Sequence, residues 1–175
     1  MLRKLINKNF FRLNQRLSLK IFNRNLLNKH FLTALSKMVK TISMEDMRHL
    51  NLFNKVTRVE TRFCFDYNNM LIFCVPHSMI HKAVGDEGKN IRRMKEILKK
   101  RIRIVSIPRG IRDASRFIES VVNPVTFKNL EVNGDEIIIT ASRQSKAALI
   151  GREKRRLKEM QEIVKGFFEK DLKII

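Results

Sequence analysis

The stretch Val84-Gly85-Asp86-Glu87-Gly88-Lys89-Asn90-Ile91 lies between a strand-like run, Met70 to Val75, and a periodic helical run that reaches Leu98. Two glycines with two residues between them, opening a basic helix, make a phosphate-sized backbone cradle. Glycine permits the tight turn and the close approach of a ligand's backbone. The helix behind it aims its unpaired N–H groups and the positive end of its dipole at the same spot. Alone, G-x-x-G is a common way of entering a helix. Here its surroundings occur twice.

Sixty-six residues downstream the pattern returns as Ile150-Gly151-Arg152-Glu153-Lys154-Arg155-Arg156-Leu157. In the preceding strand Leu71, Phe73 and Val75 fall on Ile137, Ile139 and Ala141. In the following helix Ile91 falls on Leu157, Met94 on Met160 and Ile97-Leu98 on Ile163-Val164. Each copy closes with a short alternating run, Ile102 and Ile104 in one, Leu172 and Ile174 in the other. Such an internal repeat implies two copies of one small unit.

Length and composition agree. A chain of 175 residues holds one domain or two small ones, and a hydrophobic share of 43% is enough for a core. The formal charge of +20 favours an anionic partner through long-range attraction. Nucleic acid is the first candidate and an anionic membrane surface the second. No apolar run approaches the length of a membrane span, so a soluble chain is expected, and a cytoplasmic monomer is the further expectation. Two cysteines, Cys64 and Cys74, are too few to staple a secreted domain and have no C-x-x-C spacing. His77 and His81 are four apart but have no further ligand at metal spacing, so no metal or cofactor is expected. There is no G-x-x-x-x-G-K-[ST], no dinucleotide fingerprint and no nucleophile–base pattern, and the chain is not read as an enzyme.

Residues 1–37 carry nine Lys or Arg and no Asp or Glu. Three readings compete: an acid-free targeting peptide, a basic arm adding non-specific nucleic-acid affinity, or a segment outside the functional protein. Met38 and Met44 stand as alternative starts, and the third reading is preferred. From Ser43 the character changes. Ser43 with Glu45-Asp46 signals a helix start, and Met47, Leu50, Phe53 and Asn54 give a face up to Val56. Val59 to Tyr67 and Met70 to Val75 read as a hairpin, and a helix from about Ser78 breaks at the first glycine loop and resumes to Leu98. Arg101 to Ile107 is a third strand, after which Pro108-Arg109-Gly110 punctuates the chain. The second half follows as helix Asp113–Val122, hairpin Thr126–Val132 and Glu136–Ala141 around Asn133-Gly134-Asp135, helices Gln144–Ile150 and Arg155–Phe168, and strand Asp171–Ile175. The two units are placed at 43–108 and 111–175.

That element order, with a glycine loop joining two helices in each half, resembles the prokaryotic-type (type II) KH domain. Two in tandem, from Ser43 to the end, resemble the archaeal NusA-type transcription factor. The resemblance implies an α+β fold of two KH domains, each a three-stranded sheet packed with helices. It also implies binding of single-stranded RNA during transcription elongation or termination, with RNA polymerase as partner. The alternatives are a KH protein of ribosome assembly or RNA processing, and a KH scaffold with decayed loops that binds protein. A KH loop clamps the backbone of about four unpaired nucleotides while the adjacent groove reads base edges. Carried over by position, the RNA-binding residues are Lys82, Gly85, Gly88, Lys89, Asn90, Arg92 and Arg93 in the first half. In the second they are Gly151, Arg152, Lys154, Arg155 and Lys158. Two departures stand out. Asp86 and Glu87 place carboxylates where a phosphate approaches, and Lys154 replaces the second glycine, supplying charge without glycine's backbone freedom.

Overall fold

Ser43 starts the first element of the computed structural model, which describes residues 43–175; the readings of residues 1–37 lie outside the described residues. The Ser43 hydroxyl accepts from the Asp46 amide at 3.0 Å while the Asp46 carboxylate accepts the Ser43 N–H at 3.1 Å. This reciprocal capping box opens α1 (Met44–Thr57). Its buried stripe is His49, Phe53 and Thr57, one turn apart, and Asn54 is exposed. Of the expected face, Phe53 is in the core and Leu50 and Val56 pack against it, while Asn54 is not part of it. Phe53 stacks on Phe73 with ring centroids 4.4 Å apart. Thr57 stays inside because its hydroxyl donates to the Phe53 carbonyl at 2.8 Å.

The first strand, β1 (Phe63–Tyr67), is shorter than the run from Val59 predicted. Before Phe63, side chains take over the backbone's bonds: the Val59 amide donates to Thr57 Oγ1 at 3.1 Å, and Thr61 donates its hydroxyl to the Cys74 carbonyl. Asn68 and Asn69, with φ of 50° and 56°, form the tight turn into β2 (Met70–Val75). One helical turn (His77–Met79), α2 (Ile80–Val84), α3 (Lys89–Leu98) and β3 (Arg101–Ser106) complete the first half. The second half repeats this with α4 (Ala114–Val122), β4 (Asn129–Asn133), β5 (Glu136–Thr140), α5 (Arg143–Ile150), α6 (Arg155–Phe168) and β6 (Asp171–Ile174). In each sheet the hairpin is antiparallel and the last strand pairs parallel to the central one. The described residues thus form an α+β fold of six α-helices and two three-stranded sheets, compatible with KH-like domains. None of these helices is long and apolar enough to cross a membrane.

The two sheets differ in what covers them. All six residues of β2 are buried. Leu71, Phe73 and Val75 pack with Phe53, Ala83 and Met94 of their own half. Met70, Ile72 and Cys74 join a larger core with Phe117, Ile163 and Phe167 of the second half. A strand covered on both faces reads as an unbroken apolar run, whereas β5, Glu136-Ile137-Ile138-Ile139-Thr140, buries only Ile137 and Ile139. Helix α6 runs to Phe168, one turn beyond the point equivalent to Leu98 in α3. That extra turn carries Phe167, whose ring centroid lies 4.7 Å from Phe117, 5.8 Å from Phe63 and 6.0 Å from Phe65. The added turn therefore supplies the aromatic centre of the core between the halves.

Candidate nucleic-acid interface

The two glycine loops follow the same backbone path. Gly85 and Gly151 have φ/ψ of 73°/167° and 69°/176°, a region essentially reserved for glycine. Glu87 and Glu153 are left-handed at φ 49° and 52°, and Gly88 and Lys154 at φ 75° and 58°. The amide of the fourth residue returns to the carbonyl of the first, at 3.0 Å for Gly88 and 3.3 Å for Lys154. Lys154 thus takes the backbone shape of Gly88 without glycine's freedom. A Cβ on Gly88 would meet nothing within 4 Å, so only torsional strain opposes a side chain at this position.

The first glycine is constrained differently. A Cβ on Gly85 would come within 2.8 Å of the Asn90 side chain, and one on Gly151 within 2.9 Å of Arg156. What approaches the glycine is the chain itself. The Asn90 amide donates to the carbonyls of Lys82 and Ala83, each at 3.2 Å, and Arg156 donates to the Ala148 carbonyl at 2.9 Å. Asn90 and Arg156 occupy one repeat position and close the helix–loop–helix in each half. Asn90, predicted as an RNA contact, has its side chain engaged in this closure; Arg156 was not singled out at all. The 66-residue register that pairs them is the sequence signal that could have found both.

Around the loops Lys82, Lys89, Arg92, Arg93, Arg152, Lys154 and Lys158 are exposed, and among the described residues their side chains make no ion pair. No side chain caps the N-terminus of α3 or α6; the first amide of each, Lys89 and Arg155, donates instead to a loop carbonyl, that of Asp86 and of Arg152. Asp86 and Glu87 are also exposed, so the first loop carries two carboxylates, whereas Arg152, Glu153 and Lys154 give the second a net positive charge. Arg155 stands apart from the other predicted contacts. Its guanidinium donates to Glu159 at 3.1 Å and to the side-chain oxygen of Asn69, in the other half, at 3.3 Å.

An open groove of about 340 Å³ flanks α3 and β3, where Lys95, Arg101 and Arg103 alternate with Ile91, Ile102 and Pro124. Arg103 is fixed there by bonds of 3.0, 3.2 and 2.9 Å to the carbonyls of Ser120, Val121 and Asn123 at the end of α4. Burial, and then neighbouring Arg101, lower its pKa from the ordinary value. Among the described residues no cluster of His, Cys, Asp and Glu could hold a metal ion.

Two known proteins are similar to this chain. The chain is 24% identical over 132 residues to a Thermoplasma acidophilum protein named probable transcription termination protein NusA, covering 73% of this chain and 90% of that one. It also superposes on the crystal structure of APE1850 with a TM-score of 0.54 and 25% identity, covering 77% of this chain and all of the other. No family model matches.

Proposed function

We propose that the chain is a NusA-like RNA-binding transcription factor built from two tandem type II KH domains, at 43–108 and 111–175. Its partners are single-stranded RNA and the transcription elongation complex, and it acts by binding rather than catalysis. The observation that carries this reading is the doubled loop: two glycine-led turns of one backbone shape, each opening an uncapped helix among exposed Lys and Arg. The similarity to a NusA-named protein supports the choice of transcription over other RNA processes.

In this mechanism the backbone of one strand passes each loop, where the helix N-terminus and the surrounding cations stabilise its phosphates. Unpaired bases turn toward the neighbouring helix and edge strand. The basic second loop contributes more of the affinity, because Asp86 and Glu87 oppose a phosphate at the first. Like charges some 4 to 6 Å apart at a moderate effective dielectric cost on the order of 1 kcal/mol or more.

The test is a comparison of unstructured RNA with an RNA duplex of equal length, titrated against salt. Preference for the single strand is expected. With about four phosphates neutralised, the log–log salt slope should be near −3. Equal affinity for both would leave only a generic basic surface and would refute the reading. Co-purification with RNA polymerase rather than with ribosomal subunits then separates transcription from translation.

A further inference from the structure

Among the described residues, the second loop is held from outside its own half and the first is not. In the first half Asn90 reaches only carbonyls of its own α2. In the second, the guanidinium of Arg156 works in two directions. One nitrogen donates to Ala148 at the end of α5, and Nε donates at 2.9 Å to the side-chain oxygen of Asn68, in the β1–β2 turn of the first half. Glu159, one turn along α6 and largely buried, adds a second tie. One of its oxygens accepts the Asn68 backbone N–H at 2.8 Å and the other accepts from Arg155 at 3.1 Å. The turn is itself fixed on its own side, since the Asn68 carbonyl accepts from Arg101 of β3 at 2.8 Å.

The second loop also needs more external support than the first. Lys154 and Glu153 are consecutive non-glycine residues in the left-handed region. Such conformations persist where the surroundings over-determine them. A planar guanidinium with a fixed fork of donors transmits orientation well, because moving one bond displaces the other.

We infer that Asn68, through Arg156 and Glu159, is a positioning residue for the second loop. It sets the loop's shape from the opposite half, and Arg155 belongs to this tie rather than to the phosphate path. The inference rests on the RNA-binding reading for its functional consequence and on the loop geometry for its structural one.

The experiment uses the full chain with Asn68→Gly. Glycine tolerates the left-handed turn and keeps the backbone N–H for Glu159, so the substitution removes only the amide that Arg156 holds. Amide hydrogen exchange at residues 152–155 is expected to rise about tenfold, with residues 86–89 unchanged. Asn68→Asp, which retains the acceptor oxygen, should restore slow exchange. Affinity for an unstructured RNA should fall about threefold or more with Asn68→Gly alone. It should fall no further when Arg152→Asp and Lys154→Asp have already disabled the second loop, the signature of one residue acting through another. Glu159→Gln provides an independent variant and should act in the same direction. Equal exchange at both loops, or an undiminished affinity loss in the disabled background, overturns the inference. Failure of the unaltered chain to bind RNA refutes the proposed function instead, and the exchange arm then decides the positioning role alone.

Discussion

Asn90 closes over Gly85 so tightly that a methyl group on the glycine would lie 2.8 Å from the Asn90 amide nitrogen. Arg156 stands in the same relation to Gly151, at 2.9 Å. The pair explains why the first glycine is kept in both copies and the second is not. Position one combines a torsional region that excludes side chains with a contact that leaves no room for one.

Gly85→Ala should therefore cost more than Gly88→Ala. Strain at a position essentially limited to glycine is about 1–3 kcal/mol, and displacing Asn90 adds to it. At Gly88 only the left-handed torsion must be met, at about 1 kcal/mol. Denaturant titration of the two variants checks the order. Equal losses would mean that the Asn90 contact is not maintained in solution.

Lys154→Gly relieves a left-handed lysine in a loop that already has the right shape. Thermal stability should stay level or rise slightly, the released strain being partly offset by glycine's greater freedom in the unfolded chain. Its RNA affinity should nonetheless fall, because a cation leaves the loop. A loss of several degrees in Tm would show that the lysine stem makes a contact that holds the loop.

Cys64 and Tyr67 tie stability to alkaline pH. Burial first, then Asp46 and Asp66, push the Cys64 thiol from 9.0 up to about 12. Burial also pushes the Tyr67 hydroxyl from 10.0 to about 12, with Arg156 opposing and Glu159 reinforcing the shift. Cys74, fully buried, is raised well above 9.0. Folded values above unfolded ones mean that this stability is complete below about pH 9 and is lost as pH rises toward 12. Melting temperatures across that range should fall. At pH 8 both thiols should resist alkylation in the native chain and react after denaturation. Rapid labelling of Cys74 in the native chain would contradict the packing between the halves.

The repeat, the order of the elements and the two loops were legible because they depend on local chemistry: apolar spacing, a turn residue, a glycine pair. Met70 to Val75 was legible as a strand, but its two covered faces were not read from its unbroken apolar run, which contrasts with the alternation of β5. The hairpin turn Asn68-Asn69 was legible too, but its partners Arg156 and Glu159 lie some ninety residues away, and no local pattern connects them. The same holds for Arg103 on the end of α4. Leu50, Phe53 and Val56 were legible as the inner side of α1, but Thr57 was not, because it looks polar in sequence, yet its hydroxyl is satisfied by its own helix. That Lys154 follows the path of Gly88 was not legible either, for a related reason. Residue type describes a preference for backbone shape, whereas the surrounding fold decides it.

The central claim, that single-stranded RNA passes both loops, is tested most directly by reversing their charges in opposite senses. Asp86→Lys with Glu87→Lys should raise affinity for unstructured RNA about tenfold or more, or roughly 1.4 kcal/mol, and should steepen its salt dependence. Arg152→Asp with Lys154→Asp should lower it while the fold persists, since both positions are exposed. Lys128 and Glu131, exposed on the second hairpin away from either loop, serve as controls for the same charge changes. The account predicts opposite shifts from the two loop variants and little change from the controls; equal shifts from the controls, or none from either loop, would contradict it.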